Sequence, residues 1–255
     1  PDAWRLQAPR PFGHQQGGVM LDPTVPEVQE QARADMRRLV GWGFEMIKHD
    51  FTTYDLLGFW GSGYGGPTYI ADGWSFADDS RTSAEVIGDL YRLLREAAGE
   101  ALLIGCNTIG HLGAGLFEIQ RTGDDTSGRD WERTRLMGIN TLAARMPQHG
   151  TFFVHDADCV GLTRAVPWEA NAQWLDLLAR SGTALFVSAE PEAIGPEQEA
   201  ALRAAFAIAA AGPEPAEPLD WLTTSCPEHW RCADGDHRYD WTSPTDGCPP
   251  PGVVV

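Results

Sequence analysis

Two segments of this chain end short apolar runs in carboxylates: Ile47-Lys48-His49-Asp50-Phe51 and Arg121-Thr122-Gly123-Asp124-Asp125-Thr126. Each run reads as a buried strand. In a parallel α/β barrel the C-terminal ends of the strands form the catalytic face. Two carboxylates delivered there by different strands can serve as nucleophile and proton donor at a glycosidic bond. Carboxylates in such places also ligate metals or form structural ion pairs, so residue type alone leaves three readings.

Alternation along a strand puts Lys48 and Asp50 on one side and His49 on the other. The Lys48 ammonium is expected to favour an ionised Asp50, the state a covalent nucleophile requires. A Lys–Asp ion pair with no chemistry fits the same pattern. At the second segment, crowding of Asp124 by other carboxylates is expected to favour a protonated acid. Arg121 could hold a sugar hydroxyl or steady a carboxylate. Asp125 or Thr126 could instead cap a helix that starts near Trp131.

The elements that must position these groups follow a βα rhythm. Strand-like runs cover 44–51, 101–106, 116–121, 151–155 and 184–188. Thr24-Val25-Pro26-Glu27 and Thr82-Ser83-Ala84-Glu85 both have capping-box form ahead of helically spaced apolar residues. Further helices are predicted over 131–146, 167–180 and 196–211. Residues 107–115 are too few for an ordinary parallel crossover, which predicts a tight helical turn or a local irregularity. The fold class is therefore α/β, part of a (β/α)8 barrel, because five strands do not close one. Residues 1–212 read as the partial catalytic barrel. Residues 213–255, rich in Pro, Trp and Asp, read as a tail on that body or the start of a further domain. Pro1 in place of Met, with the low strand count, predicts a piece of a longer enzyme whose open sheet edge promotes association into a homo-oligomer.

The chain has 255 residues, 43% hydrophobic and 22% charged, with a formal charge of −17. A field of that sign repels nucleic acid and anionic membranes and suits a neutral substrate such as a sugar. No apolar run is long enough for a transmembrane helix. Compartment is left open. The five cysteines lack a metal-binding spacing, and Cys226, Cys232 and Cys248 are compatible with one disulfide. His49, His111, His149 and His155 likewise show no metal-site spacing. Trp60, Tyr64 and Trp74, in a Gly-rich loop after Asp50, could stack on a sugar or anchor the loop. Asp156 and Asp158 could line an outer pocket or brace a loop.

Lys48-His49-Asp50 resembles the K-x-D nucleophile motif of the clan D glycoside hydrolases, the alpha-galactosidases (melibiases). Leu21-Asp22-Pro23, Pro26-Glu27-Val28 and Gly43-Phe44 ahead of that motif are similar to family 36. Cys106-Asn107 resembles the family's C-S-G element, whose glycine-rich continuation is replaced here by Thr108-Ile109-Gly110-His111. Thr122-Gly123-Asp124-Asp125-Thr126 resembles the acid/base segment, and Ser181-Gly182-Thr183 also fits. The resemblance implies a retaining mechanism with Asp50 as nucleophile and Asp124 as acid/base, and no cofactor. It implies hydroxyl-binding roles for Lys48 and Arg121. Cys106, Asn107, Trp60, Asp125 and Asp158 complete the candidate substrate-binding set, with no metal ligand. The implied partner is an α-galactoside or related oligosaccharide, and the Lys-x-Asp strand becomes the fourth of the barrel, leaving roughly strands 4 to 8. Two rival readings are a catalytically silent carbohydrate-binding or scaffold fragment and a metal-dependent barrel hydrolase.

Overall fold

A computed structural model describes residues 21–52 and 76–250. The fold is α/β with parallel strands, as the sequence predicts, and no closed barrel occurs among the described residues. The chain divides into two compact units, Pro1–Gln120 and Arg121–Val255.

The first unit runs α1 (Pro26–Gly41), β1 (Met46–Asp50), α2 (Ser83–Ala98), β2 (Leu102–Cys106), a single turn α3 (Gly110–Gly113), and into β3 (Ile119–Arg121). β1 pairs in parallel with β2, and β2 with β3. The predicted tight helical turn between β2 and β3 is α3. β1 alternates strictly: Ile47 and His49 are buried, while Met46, Lys48 and Asp50 face outward. Ile47 joins a core of Val86, Ile87, Tyr91, Leu94, Leu103 and Phe117, which the apolar face of α2 largely supplies. The capping box at Thr82 forms, with Glu85 closing it. The one expected at Thr24 does not: Val25 is the N-cap and makes no side-chain cap. The Thr24 hydroxyl donates instead to buried Asp22, whose other oxygen accepts the Ala77 N–H at 2.6 Å. Pro26 at the helix start lacks an N–H, so little is lost by that diversion.

The second unit carries a helix that begins as α4 (Trp131–Arg133), widens into a π-helical stretch (Thr134–Ile139) and resumes as α5 (Asn140–Arg145). β4 (Val154–Asp156), β5 (Val160–Leu162), α6 (Trp168–Arg180), β6 (Val187–Ala189) and α7 (Pro196–Ala210) follow. β5 and β6 pair in parallel. Beyond residue 212 lies an antiparallel sheet of β7 (Glu217–Pro218), β8 (His229–Cys232) and β9 (Gly235–Arg238). Trp230 and Trp241 of this region are fully buried, and both indole N–H groups donate to the Pro227 carbonyl. They share one core with Ile139, Leu142, Trp174 and Leu178. Tyr239 donates to Asp176 on α6 at 2.9 Å. No disulfide staples this region: Cys226, Cys232 and Cys248 are unbridged thiols. Cys226 and Cys232 are instead buried in that core.

Trp174 is wholly buried and packs against Gly138 of the π-helical stretch. Trp174→Ala should cost about 3–5 kcal/mol of unfolding free energy. Urea unfolding checks this, and a loss below about 1 kcal/mol would show that the cluster does not hold the unit together.

Candidate active site

The first unit assembles its polar groups where β1 and β2 end. Register pairs Asp50 with Cys106, so the residue after each strand begins a loop at the same level. Both of those residues, Phe51 (φ 56°) and Asn107 (φ 48°), are left-handed. Asn tolerates that region, whereas Phe rarely occupies it, and such strain concentrates at functional sites. The turn at Asn107 brings its amide onto Asp50, with Nδ2 donating to Oδ1 at 2.7 Å. Lys48 Nζ lies 3.8 Å from Asp50 Oδ2, and the two side chains are 47% and 36% exposed. A pair that open to water is weak, so Asn107 is the firmer hold on Asp50. From the sequence, Asn107 is expected to bind substrate, and Lys48 both to favour an ionised Asp50 and to bind a sugar hydroxyl. Cys106 is buried.

Behind Asp50, His49 points into the core, edge-on to Phe117 with ring centroids 4.6 Å apart. Its Nδ1 shares a 2.9 Å hydrogen bond with the Thr52 hydroxyl, and its Nε2 has no partner among the described residues. Burial pushes its pKa down to about 4, against a weaker upward pull from Asp50.

The second unit holds its acidic turn between two arginines. Arg121, only 6% exposed, contacts Asp125 at 2.6 Å and Asp158 at 3.5 Å. Asp158 in turn accepts the Thr126 N–H at 2.6 Å, so its carboxylate braces the turn. Arg133, which the sequence reading did not single out, meets Asp124 at 2.7 Å and donates from Nε to the Asp125 carbonyl at 2.6 Å. Asp124 Oδ1 also accepts the Asp125 N–H at 2.8 Å. Thr122 is fixed by its N–H on the Asp156 carbonyl and by its hydroxyl against His155 Nε2 at 2.6 Å. Gly123 lies so close to the Met137 carbonyl in the π-helical stretch that a Cβ would overlap it. Neither Asp125 nor Thr126 caps the helix at Trp131. Asp130 does, accepting the Glu132 N–H at 2.9 Å, because Asp125 and Thr126 are already engaged by Arg121 and Asp158.

These groups offer a strand-end carboxylate with an amide donor in one unit and an arginine-held carboxylate in the other. Such groups can attack, or give and take a proton. Among the described residues no cluster of three or more His, Cys, Asp or Glu side chains could hold a metal, and no helix is long and apolar enough to cross a membrane. Trp60, Tyr64 and Trp74 lie outside the described residues.

No family model matches this chain, and no curated protein matches it in sequence. Solved structures do resemble it. The alpha-galactosidase TtGalA from Thermus thermophilus, solved with p-nitrophenyl alpha-D-galactopyranoside, superposes with a TM-score of 0.63 at 22% identity over 93% of this chain and 47% of that one. The same enzyme solved with stachyose gives 0.57 at 24% identity, over 80% and 44%. A GH27 β-L-arabinopyranosidase from Geobacillus stearothermophilus gives 0.56 at 14% identity, over 77% and 45%. The chain has their fold. It spans about half the length of these structures.

Burial also pushes His155 down to about 3, helped by His149 and Arg145. His49 and His155 are thus neutral in the folded protein at pH 7, while in the unfolded chain each takes a proton near pH 6.5. Stability is therefore full above pH 6.5 and falls as pH drops from 6.5 toward 4. Between pH 7.5 and 5.5 each histidine should remove about 1 kcal/mol. His49→Gln should flatten its share of that slope in urea titrations, and an unchanged slope would contradict the neutral assignment.

Proposed function

We propose that this chain carries the catalytic carboxylates of a retaining α-glycosidase of clan D, most nearly an alpha-galactosidase of the family 36 kind, acting on an α-galactoside or related oligosaccharide. The observation that carries this reading is Asp50: a strand-end carboxylate, outward-facing, gripped by Asn107 across a parallel pair and followed by a strained residue. The resemblance of Lys48-His49-Asp50 and Thr122-Gly123-Asp124 to the family's motifs supports it. So does a fold shared with an alpha-galactosidase solved with p-nitrophenyl alpha-D-galactopyranoside and with stachyose.

Asp50 attacks the anomeric carbon as the glycosidic C–O bond breaks, and Asp124 gives the leaving oxygen its proton. Water then attacks the same carbon, Asp124 takes the water's proton, and the ester to Asp50 breaks. The Asn107 amide orients Asp50 for attack by holding Oδ1, and Oδ2, whose pairing with Lys48 is loose and open to water, is the oxygen that reacts. Lys48, half exposed on the same face, binds a sugar hydroxyl. Arg121 acts by bracing Asp125 and Asp158, because a guanidinium this buried and this engaged has little left to offer a sugar. No cofactor takes part in either step.

Two variants of the full-length protein test the reading. Asp50→Ala should abolish turnover of aryl and natural α-galactosides alike, because no covalent intermediate forms. Asp124→Ala should spare aryl substrates with good leaving groups, which need little protonation, and slow natural ones by about 10²–10⁴-fold. Equal losses on both substrates for Asp124→Ala would remove it as the acid. A wild-type chain that binds galactosides without hydrolysing them would favour the binding-fragment reading.

A further inference from the structure

We propose that Arg133 is a positioning residue that aims the Asp124 carboxyl and keeps the Thr122–Thr126 turn in register, a role that rests on Asp124 being the acid/base. The guanidinium uses two of its donors at once. Nη2 meets Asp124 Oδ2 at 2.7 Å, and Nε donates to the Asp125 main-chain oxygen at 2.6 Å. One planar fork therefore ties the side chain of one residue to the backbone of the next, which a lysine's single ammonium cannot copy in geometry.

The fork itself has a fixed base. Asp130 caps the first turn of the helix, and Arg133 is the last residue before the backbone widens into the π-helical stretch. That stretch receives Gly123 against the Met137 carbonyl. The turn is thus seated on the helix by its glycine on one side of Asp124 and by Arg133 on the other. Departures from regular α-helix of this kind recur where function needs them. Arg133 is 43% exposed. Its contribution therefore lies in aiming the turn more than in burying surface.

The two contacts divide the labour of the two half-reactions. While Asp124 is ionised and acting as base, the Nη2 contact holds the oxygen that must face the water. To donate a proton, Oδ2 has to leave the guanidinium. The Nε contact to Asp125 is to a neutral carbonyl and persists, so the turn does not wander during the exchange.

The test uses the full chain with Arg133→Gln and Arg133→Lys, assayed on 2,4-dinitrophenyl and methyl α-galactosides. For Arg133→Gln, kcat/KM on the methyl glycoside should fall about tenfold or more, and on the dinitrophenyl glycoside less than about threefold. Azide, which attacks without a base, should restore kcat on the dinitrophenyl substrate. Arg133→Lys should fall between Arg133→Gln and the parent. In an Asp124→Asn background, Arg133→Gln should add no further loss. A merely structural role would instead lower both substrates equally, ignore azide and add to Asp124→Asn, and any of these outcomes overturns the proposal. A full-length protein with no turnover sinks the acid/base reading and this role with it. A turning-over parent with equal losses sinks the Arg133 role alone.

Discussion

Register between two parallel strands governs the first unit. With Asp50 set opposite Cys106, the chain leaves β1 and β2 at the same level, and each exit passes through a left-handed residue. The left-handed turn at Asn107 is what directs its amide back onto Asp50. Slide β1 by one residue and the alternation inverts: Lys48 and Asp50 would enter the core and His49 would face out. Burial of Ile47 and His49 against the α2 layer makes that slip costly, so packing on one face of the strand fixes the chemistry on the other.

The second unit solves a different problem. Asp124 and Asp125 are adjacent, and like charges this close repel. Each is given its own arginine, from a different element: Arg121 at the end of β3 takes Asp125, and Arg133 at the end of α4 takes Asp124. Asp125 and Asp158 share Arg121, while Asp124 rests on Arg133, and both aspartates of the pair stay open to water. Gly123 makes this fit, since any side chain there would collide with the helix backbone.

Much of this was legible in the sequence where the signal was local. Apolar runs marked β1 to β4 and β6, although their first residues proved to be approach segments. The Thr82 capping box formed as written because nothing competed for it. The Thr24 box failed because buried Asp22 captured the hydroxyl, a contact that also reaches residue 77. β5 was invisible, being three residues long with Gly161 at its centre. The sheet beyond residue 212 gave little signal: β8 alternates over only four residues, with Trp230 and Cys232 buried, β9 carries no apolar residue, and the segment is organised by the burial of Trp230 and Trp241. Arg133 carried no motif. Its partners lie eight and nine residues back, across a turn whose shape depends on the π-helical stretch. The Asn107–Asp50 contact spans 57 residues and needs the strand register before it can be seen.

The central claim is that Asp50 becomes covalently bonded to a sugar. The most direct measurement is to incubate the full chain with a 2-deoxy-2-fluoro α-galactosyl reagent, whose ester to the nucleophile hydrolyses slowly, and to locate the label by peptide mass spectrometry. The account predicts one sugar per chain, on Asp50, and none on the Asp50→Asn variant. A label on another carboxylate, or no label on a chain that turns over aryl α-galactosides, would contradict it.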